Sequence, residues 1–203
     1  MKVIGITGPI GCGKSYISSL IAKRGIPSID SDLVYHSLIC APSETVTAIV
    51  SEFGREILDS NGGIDRKALS AAVISSPDRL KKLNEITHPR VIAELERLIS
   101  EAENSGASAV LVQVPLMFES GFDKRCDSVI CVVADEDVRV KRICERDGCL
   151  PEIAKKRINN QKDIQFYIAN SSERVYNNGT DDPNEQIDRL LGELGIAVSA
   201  KCK

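Results

Sequence analysis

GPIGCGKS, residues 8–15, is the stretch whose reading decides the fold. It follows a short β-branched and apolar run at residues 3–7, which suits a buried parallel strand. Behind it, Ile17, Leu20 and Ile21 recur at helical spacing, and Gly25 supplies the stop. Strand, glycine loop and helix follow one another in the order that a phosphate site requires. The glycines let the backbone curl until several N–H groups converge on phosphate oxygens. The helix N-terminus adds a favourable partial charge. With Gly8 and Gly13 framing the loop, Lys14 can reach the β and γ phosphates and the Ser15 hydroxyl is placed for Mg²⁺. Cys12 inside the loop has two readings: a redox-sensitive thiol activated by the helix N-terminus, or a small residue that fits.

Working outward, strand patterns recur at 26–29, 109–114, 128–133 and 174–176, with helical patterns between them. Alternating strands and helices mean an α/β fold with a parallel sheet. Ser76-Pro77 and His88-Pro89 each read as a helix start with a first-turn proline. Pro151 opens another helix, and Ile187, Leu190, Leu191 and Leu194 stripe the closing one. The helical block between the second and third strands is too long for a simple crossover and reads as an inserted substrate domain. A length of 203 residues suits one such domain with its insertion. A net charge of −3 gives no nucleic-acid footprint, and no apolar stretch has the length of a membrane span. Seven cysteines without a Cys-x-x-Cys pair, beside only two histidines, argue against zinc. They point to free thiols in a reducing cytoplasm.

A regulatory GTPase is the rival from another class. Asp59-Ser60-Asn61-Gly62 imitates a switch element, but the segment before it is too short and charged for a sheet strand. Asn160-Gln161-Lys162-Asp163 imitates a guanine motif with its lysine one place late. Two features favour a small-molecule kinase instead. Asp30 and Asp32 form an acidic pair at the end of the second strand, the edge where ligands bind in such sheets. Two apart on extended chain, they would share one side, though Asp32 could equally cap a helix starting near Leu33. Arg142, Arg146 and Arg157 then look like a lid over phosphates, with a solvated helix face as the plain alternative.

Taken in order, GITGPIGCGKS, IDSD, FGREILDSNGGIDRKAL, LNEITHPRV, VPLMFESGFDKRCD, RICERDG, RINNQ and NNGT resemble the dephospho-coenzyme A kinase family from end to end. The resemblance implies a P-loop NTPase fold: a parallel five-stranded sheet flanked by helices, with a core at about 1–34, 106–142 and 170–203. To this it adds a helical acceptor-binding insertion at about 35–105 and a lid at about 143–169. It implies ATP and dephospho-coenzyme A as substrates, with Mg²⁺. Gly11, Cys12, Gly13, Lys14, Ser15 and Tyr16 would hold ATP, and Ser15 the metal. Asp32 would orient or deprotonate the acceptor hydroxyl. Arg142 and Arg146 would face the phosphates, and His88, Pro115 and Glu119 the acceptor; for His88 a structural place at the turn before Pro89 is the other reading.

Four positions depart from the family pattern. Gln113 replaces an acid before Val-Pro-Leu, His36 an arginine, Arg139 a glutamine in the lid helix and Ser172 an acid before the last strand. Gln113 can neither bind Mg²⁺ as an anion nor take a proton. The runner-up is a nucleoside or nucleoside monophosphate kinase of similar fold, and Gln113 and His36 keep open a third reading, a nucleotide-binding protein with weakened turnover.

Overall fold

The computed structural model describes residues 1–74, 76–180 and 182–196. Cys202, counted above among the thiols, lies outside them. The chain divides into two compact units, Asp30–Ser100 and the remainder on either side of it.

The larger unit is built on a five-stranded sheet in the order β2-β3-β1-β4-β5. Its strands are β1 (Lys2–Thr7), β2 (Ser28–Asp30), β3 (Ala109–Gln113), β4 (Ser128–Val133) and β5 (Glu173–Tyr176). β1 pairs in parallel with β3 on one side and β4 on the other, and β4 with β5. A central parallel strand is covered on both faces, which is why 3–7 is an unbroken apolar and β-branched run. Alternate residues of β4 serve different cores. Ile130 and Val132 join Ile4, Ile6 and the apolar stripes of α1 (Lys14–Ala22) and α9 (Pro183–Glu193). Cys131 and Val133 pack with Tyr167 of α8 (Ile164–Asn170) and with Phe118 and Phe166. Arg24 ties α1 to α9: its Nε donates to Asp188 at 2.5 Å and its Nη1 to Leu20 O at 2.8 Å. A buried guanidinium needs such pairing to be tolerated.

The second strand lies slightly later than the pattern at 26–29 suggests. Ile26 is buried ahead of it, and Pro27 contributes only its carbonyl, which accepts from Leu111 N at 2.8 Å. Ser172 has a structural explanation: its Oγ accepts from Val129 N at 2.9 Å and meets Ser128 Oγ at 2.8 Å, fastening the start of β4.

The Asp30–Ser100 unit holds α2 (Ser31–Ile39), α3 (Glu44–Phe53), a 3-10 turn at Arg55–Ile57, α4 (Arg66–Val73) and most of α5 (Pro77–Asn104). Ile39, Ile49, Phe53, Ile57 and Leu69 form its own core. Asp59-Ser60-Asn61-Gly62 is a turn, with Asp59 Oδ1 accepting from Asn61 N at 2.8 Å and Gly63 N at 3.0 Å. Ser76 Oγ accepts from Arg79 N at 3.3 Å, as a helix start at Pro77 requires. The second proline is a correction. Pro89 opens no helix but lies inside α5, which runs unbroken through 28 residues, so His88 is mid-helix and not at a turn. Burial of Leu83, Thr87 and Leu95 along one face outweighs the lost N–H of Pro89.

No single described helix is long and apolar enough to cross a membrane.

Candidate active site

The phosphate loop joins β1 to α1. Gly13 is the N-cap of α1 at φ 93°, a left-handed conformation that glycine adopts without strain, and a Cβ there would collide with the Asn177 amide. The first-turn N–H groups of Lys14, Ser15 and Tyr16 therefore have no acceptor within their own helix and are available to an anion. Lys14 Nζ donates to Gly8 O at 2.7 Å, folded back along the loop. Ser15 and Tyr16 are exposed. Cys12 is fully buried and its Sγ sits where a Cβ on Gly8 would come within 3.0 Å. Burial pushes this thiol up, against the partial offset from Lys14, so the small residue that fits is the reading the geometry supports.

Distant residues hold the loop in shape. Ile10 N donates to Gln161 Oε1 at 2.7 Å, and Arg139 Nε donates to Ile10 O at 2.9 Å. The Ile10 side chain packs on Val140 and Ile143 of α6 (Glu136–Asp147) and on Ala154 and Ile158 of α7 (Pro151–Asn159). Asn177, just past β5 and buried, donates from Nδ2 to Cys12 O at 2.9 Å. Arg142 Nη1 donates to Cys12 O at 3.3 Å, and its Nη2 to Asn177 Oδ1 at 3.4 Å. Gln161, Asn177 and Arg139 carry no role in the motif reading, although Gln161 and Asn177 stand in the RINNQ and NNGT stretches. The apparent guanine motif thus separates into a loop clamp at Gln161 and, at Asp163, the N-cap of α8, accepting from Gln165 N at 2.7 Å.

Of the three lid arginines, the structure brings Arg142 to the loop. Arg146 Nε instead donates to Asp147 Oδ1 at 2.7 Å, and Arg157 pairs with the same carboxylate. Pro115 and Glu119 lie on the turn after β3, with Glu119 within electrostatic reach of Tyr167. Gln113, at the buried end of β3, accepts from Ser18 Oγ at 3.2 Å.

In the Asp30–Ser100 unit the acidic pair needs correction. β2 ends at Asp30 and α2 begins at Ser31, so the two aspartates do not share one side of an extended strand. Asp30 is the N-cap, accepting from Asp32 N at 2.8 Å. Asp32 is an exposed residue of the first helical turn and not the cap. His88 and His36 are both exposed on helices of this unit.

Among the described residues no group of three or more His, Cys, Asp or Glu side chains is placed to hold a metal. The Ser15 hydroxyl is an exposed oxygen donor, the kind a hard cation takes alongside water and phosphate.

A parallel sheet carrying a phosphate loop between its first strand and first helix, braced by arginines from α6, defines a protein of the P-loop NTPase fold. Shikimate kinase from Acinetobacter baumannii shares this fold, with a TM-score of 0.53 at 15% identity over 96% of this chain and 93% of its own. The chain belongs to the dephospho-CoA kinase family, whose model matches residues 2–182. The dephospho-CoA kinase of Fusobacterium nucleatum is 37% identical over 94% of this chain and 97% of its own. Among solved structures, TT1252 from Thermus thermophilus superposes with a TM-score of 0.79 at 30% identity, over 95% of this chain and 97% of that one. The dephospho-CoA kinase from Campylobacter jejuni gives 0.71 at 28% identity, over 95% and 96%.

Proposed function

We propose that the protein transfers the γ-phosphoryl group of ATP to the 3′-hydroxyl of dephospho-coenzyme A, giving coenzyme A and ADP. The observation that carries this reading is the family match over residues 2–182, which takes in the loop, the 30–100 unit and the α6–α8 segment together. Phosphoryl transfer needs positioning and charge stabilisation more than covalent chemistry. The backbone N–H groups of residues 11–16 hold the phosphates, and Lys14 exchanges its bond to Gly8 O for one to the charge developing on the transferred group. Arg142, held at the loop by Asn177, adds a second cation. Asp32 orients the acceptor hydroxyl and takes its proton, with His88, Pro115 and Glu119 about the acceptor. The segment at about 143–169 serves as the lid, bringing Arg146 to the phosphates. Ser15, with phosphate oxygens and waters, would hold Mg²⁺, which neutralises phosphate charge when bound.

The test offers the purified protein Mg-ATP with dephospho-coenzyme A, adenosine, AMP or pantothenate, and follows ADP release. Stimulation by dephospho-coenzyme A alone is the expected result. Faster turnover with AMP would make it a nucleoside monophosphate kinase. Gln113 favours one further reading: ATP binding without stimulation by any acceptor would indicate a nucleotide-binding protein with weakened turnover.

A further inference from the structure

Arg139 is a buried cation pressed against the phosphate loop. The residue is only 5% exposed. Its backbone lies so near the loop that a Cβ on Gly11 would stand 2.9 Å from Arg139 O. Its Nε–H donates to Ile10 O at 2.9 Å, and among the described residues that is the guanidinium's one hydrogen bond. The Nη groups, which carry four of the five N–H donors of an arginine, meet no protein acceptor there, and neither is a buried atom without a partner, so both keep contact with solvent. Glu136, Asp163, Tyr167 and the Cys12 thiol face the charge without hydrogen-bonding it, and burial still lowers its pKa.

A glutamine could make the same bond to Ile10 O without bringing a charge into the interior. The guanidinium is thus largely withdrawn from bulk water while its Nη donors stay open to solvent, where the oxygens of an anion can replace that water. A planar guanidinium with free Nη donors matches phosphate oxygens, and the loop it touches is the phosphate loop.

We propose that Arg139 is an additional nucleotide-binding residue, its Nη groups donating to oxygens of the ATP polyphosphate while Nε holds the loop at Ile10. The proposal rests on the ATP site of the proposed function but not on the identity of the acceptor.

Calorimetric titration of the full chain with Mg-ATP, ADP and AMP, without acceptor, tests it. Arg139→Gln keeps a donor for Ile10 O and removes the charge. It is expected to weaken ATP by about tenfold or more, a loss of about 1.4 kcal/mol, with AMP affected far less. Unchanged ATP affinity, or equal losses for ATP and AMP, would reduce Arg139 to a loop clamp and overturn the proposal. If Arg139→Gln folds poorly, Arg139→Lys is compared with Arg139→Met. The lysine variant should bind ATP more tightly by about tenfold, and equal affinities would overturn the idea. A wrong acceptor assignment leaves all these titrations unaltered, whereas failure of the wild type to bind ATP would sink both readings.

Discussion

Asp30 Oδ1 accepts the Asp32 amide at 2.8 Å, so the capping of α2 rests on Asp30. The two aspartates can therefore be separated by experiment. Asp30→Ala should cost about 1 kcal/mol of stability in urea denaturation, the usual loss of a cap. Asp32→Asn should leave the melting temperature nearly unchanged and lower kcat by about 10²–10⁴, the typical effect of losing a general base. A fall in kcat of less than about fivefold would remove the catalytic assignment of Asp32. Lys14→Ala should lower kcat far more than it lowers stability, because its partner in the structure is a loop carbonyl and the task proposed for it is to meet charge developing in transfer. Near-normal turnover of the folded variant would refute that task. The thiols also divide. Cys126 and Cys131 are pushed up to about 12, chiefly by burial, with Asp123 and Asp127 adding to the effect at Cys126. Cys40 is exposed. Iodoacetamide at pH 8 should label Cys40 and spare the other two, and comparable labelling rates would contradict this environment.

At the scale of elements, α5 and the α6–α7 corner carry testable consequences. Pro89 breaks the hydrogen-bond ladder of a 28-residue helix, and Thr87 Oγ1 donates to Leu83 O at 2.9 Å beside the break. Pro89→Ala restores an N–H to the helix interior and should raise stability, by at most about 3 kcal/mol. A large loss of stability would mean that the surrounding packing requires the proline. At the corner, Arg146 hydrogen-bonds Asp147 and holds its carboxyl below the ordinary value, with Arg157 adding to the effect. A depressed carboxylate adds stability that is present above its unfolded pKa of about 3.9 and is lost as pH falls through the folded value. Wild type should therefore exceed Asp147→Asn in stability at neutral pH, and the difference should close as pH drops below about 4. Parallel stability curves across that range would deny the interaction. Because both arginines are largely exposed, the difference should be small and should shrink in salt.

At the scale of the whole molecule, each compact unit has its own apolar core, with Ile21 fully buried in one and Ile49 in the other. Ile21→Ala and Ile49→Ala should each cost about 2–5 kcal/mol in urea denaturation, and a loss under about 1 kcal/mol would show that core to be poorly packed. By itself the amino-acid sequence determined the α/β class, the loop at residues 8–15 between strand and helix, and the family. These are local signals: β-branched runs, helical spacing, glycines where φ must be positive, and motifs read in order. It also carried Asp30, Asp32 and Pro89 but not their roles. Either aspartate can cap a helix, and where β2 ends beside β3 chose between them. A proline starts a helix as readily as it interrupts one, and burial along α5 decided the matter. Only the tertiary structure brought Gln161, Arg139 and Asn177 to Ile10 and Cys12, across sequence separations of 151, 129 and 165. Hydrogen bonds over such distances leave no periodicity in the chain. They form because β1, β4 and β5 lie side by side, and the segments that follow these strands meet at one end of the sheet.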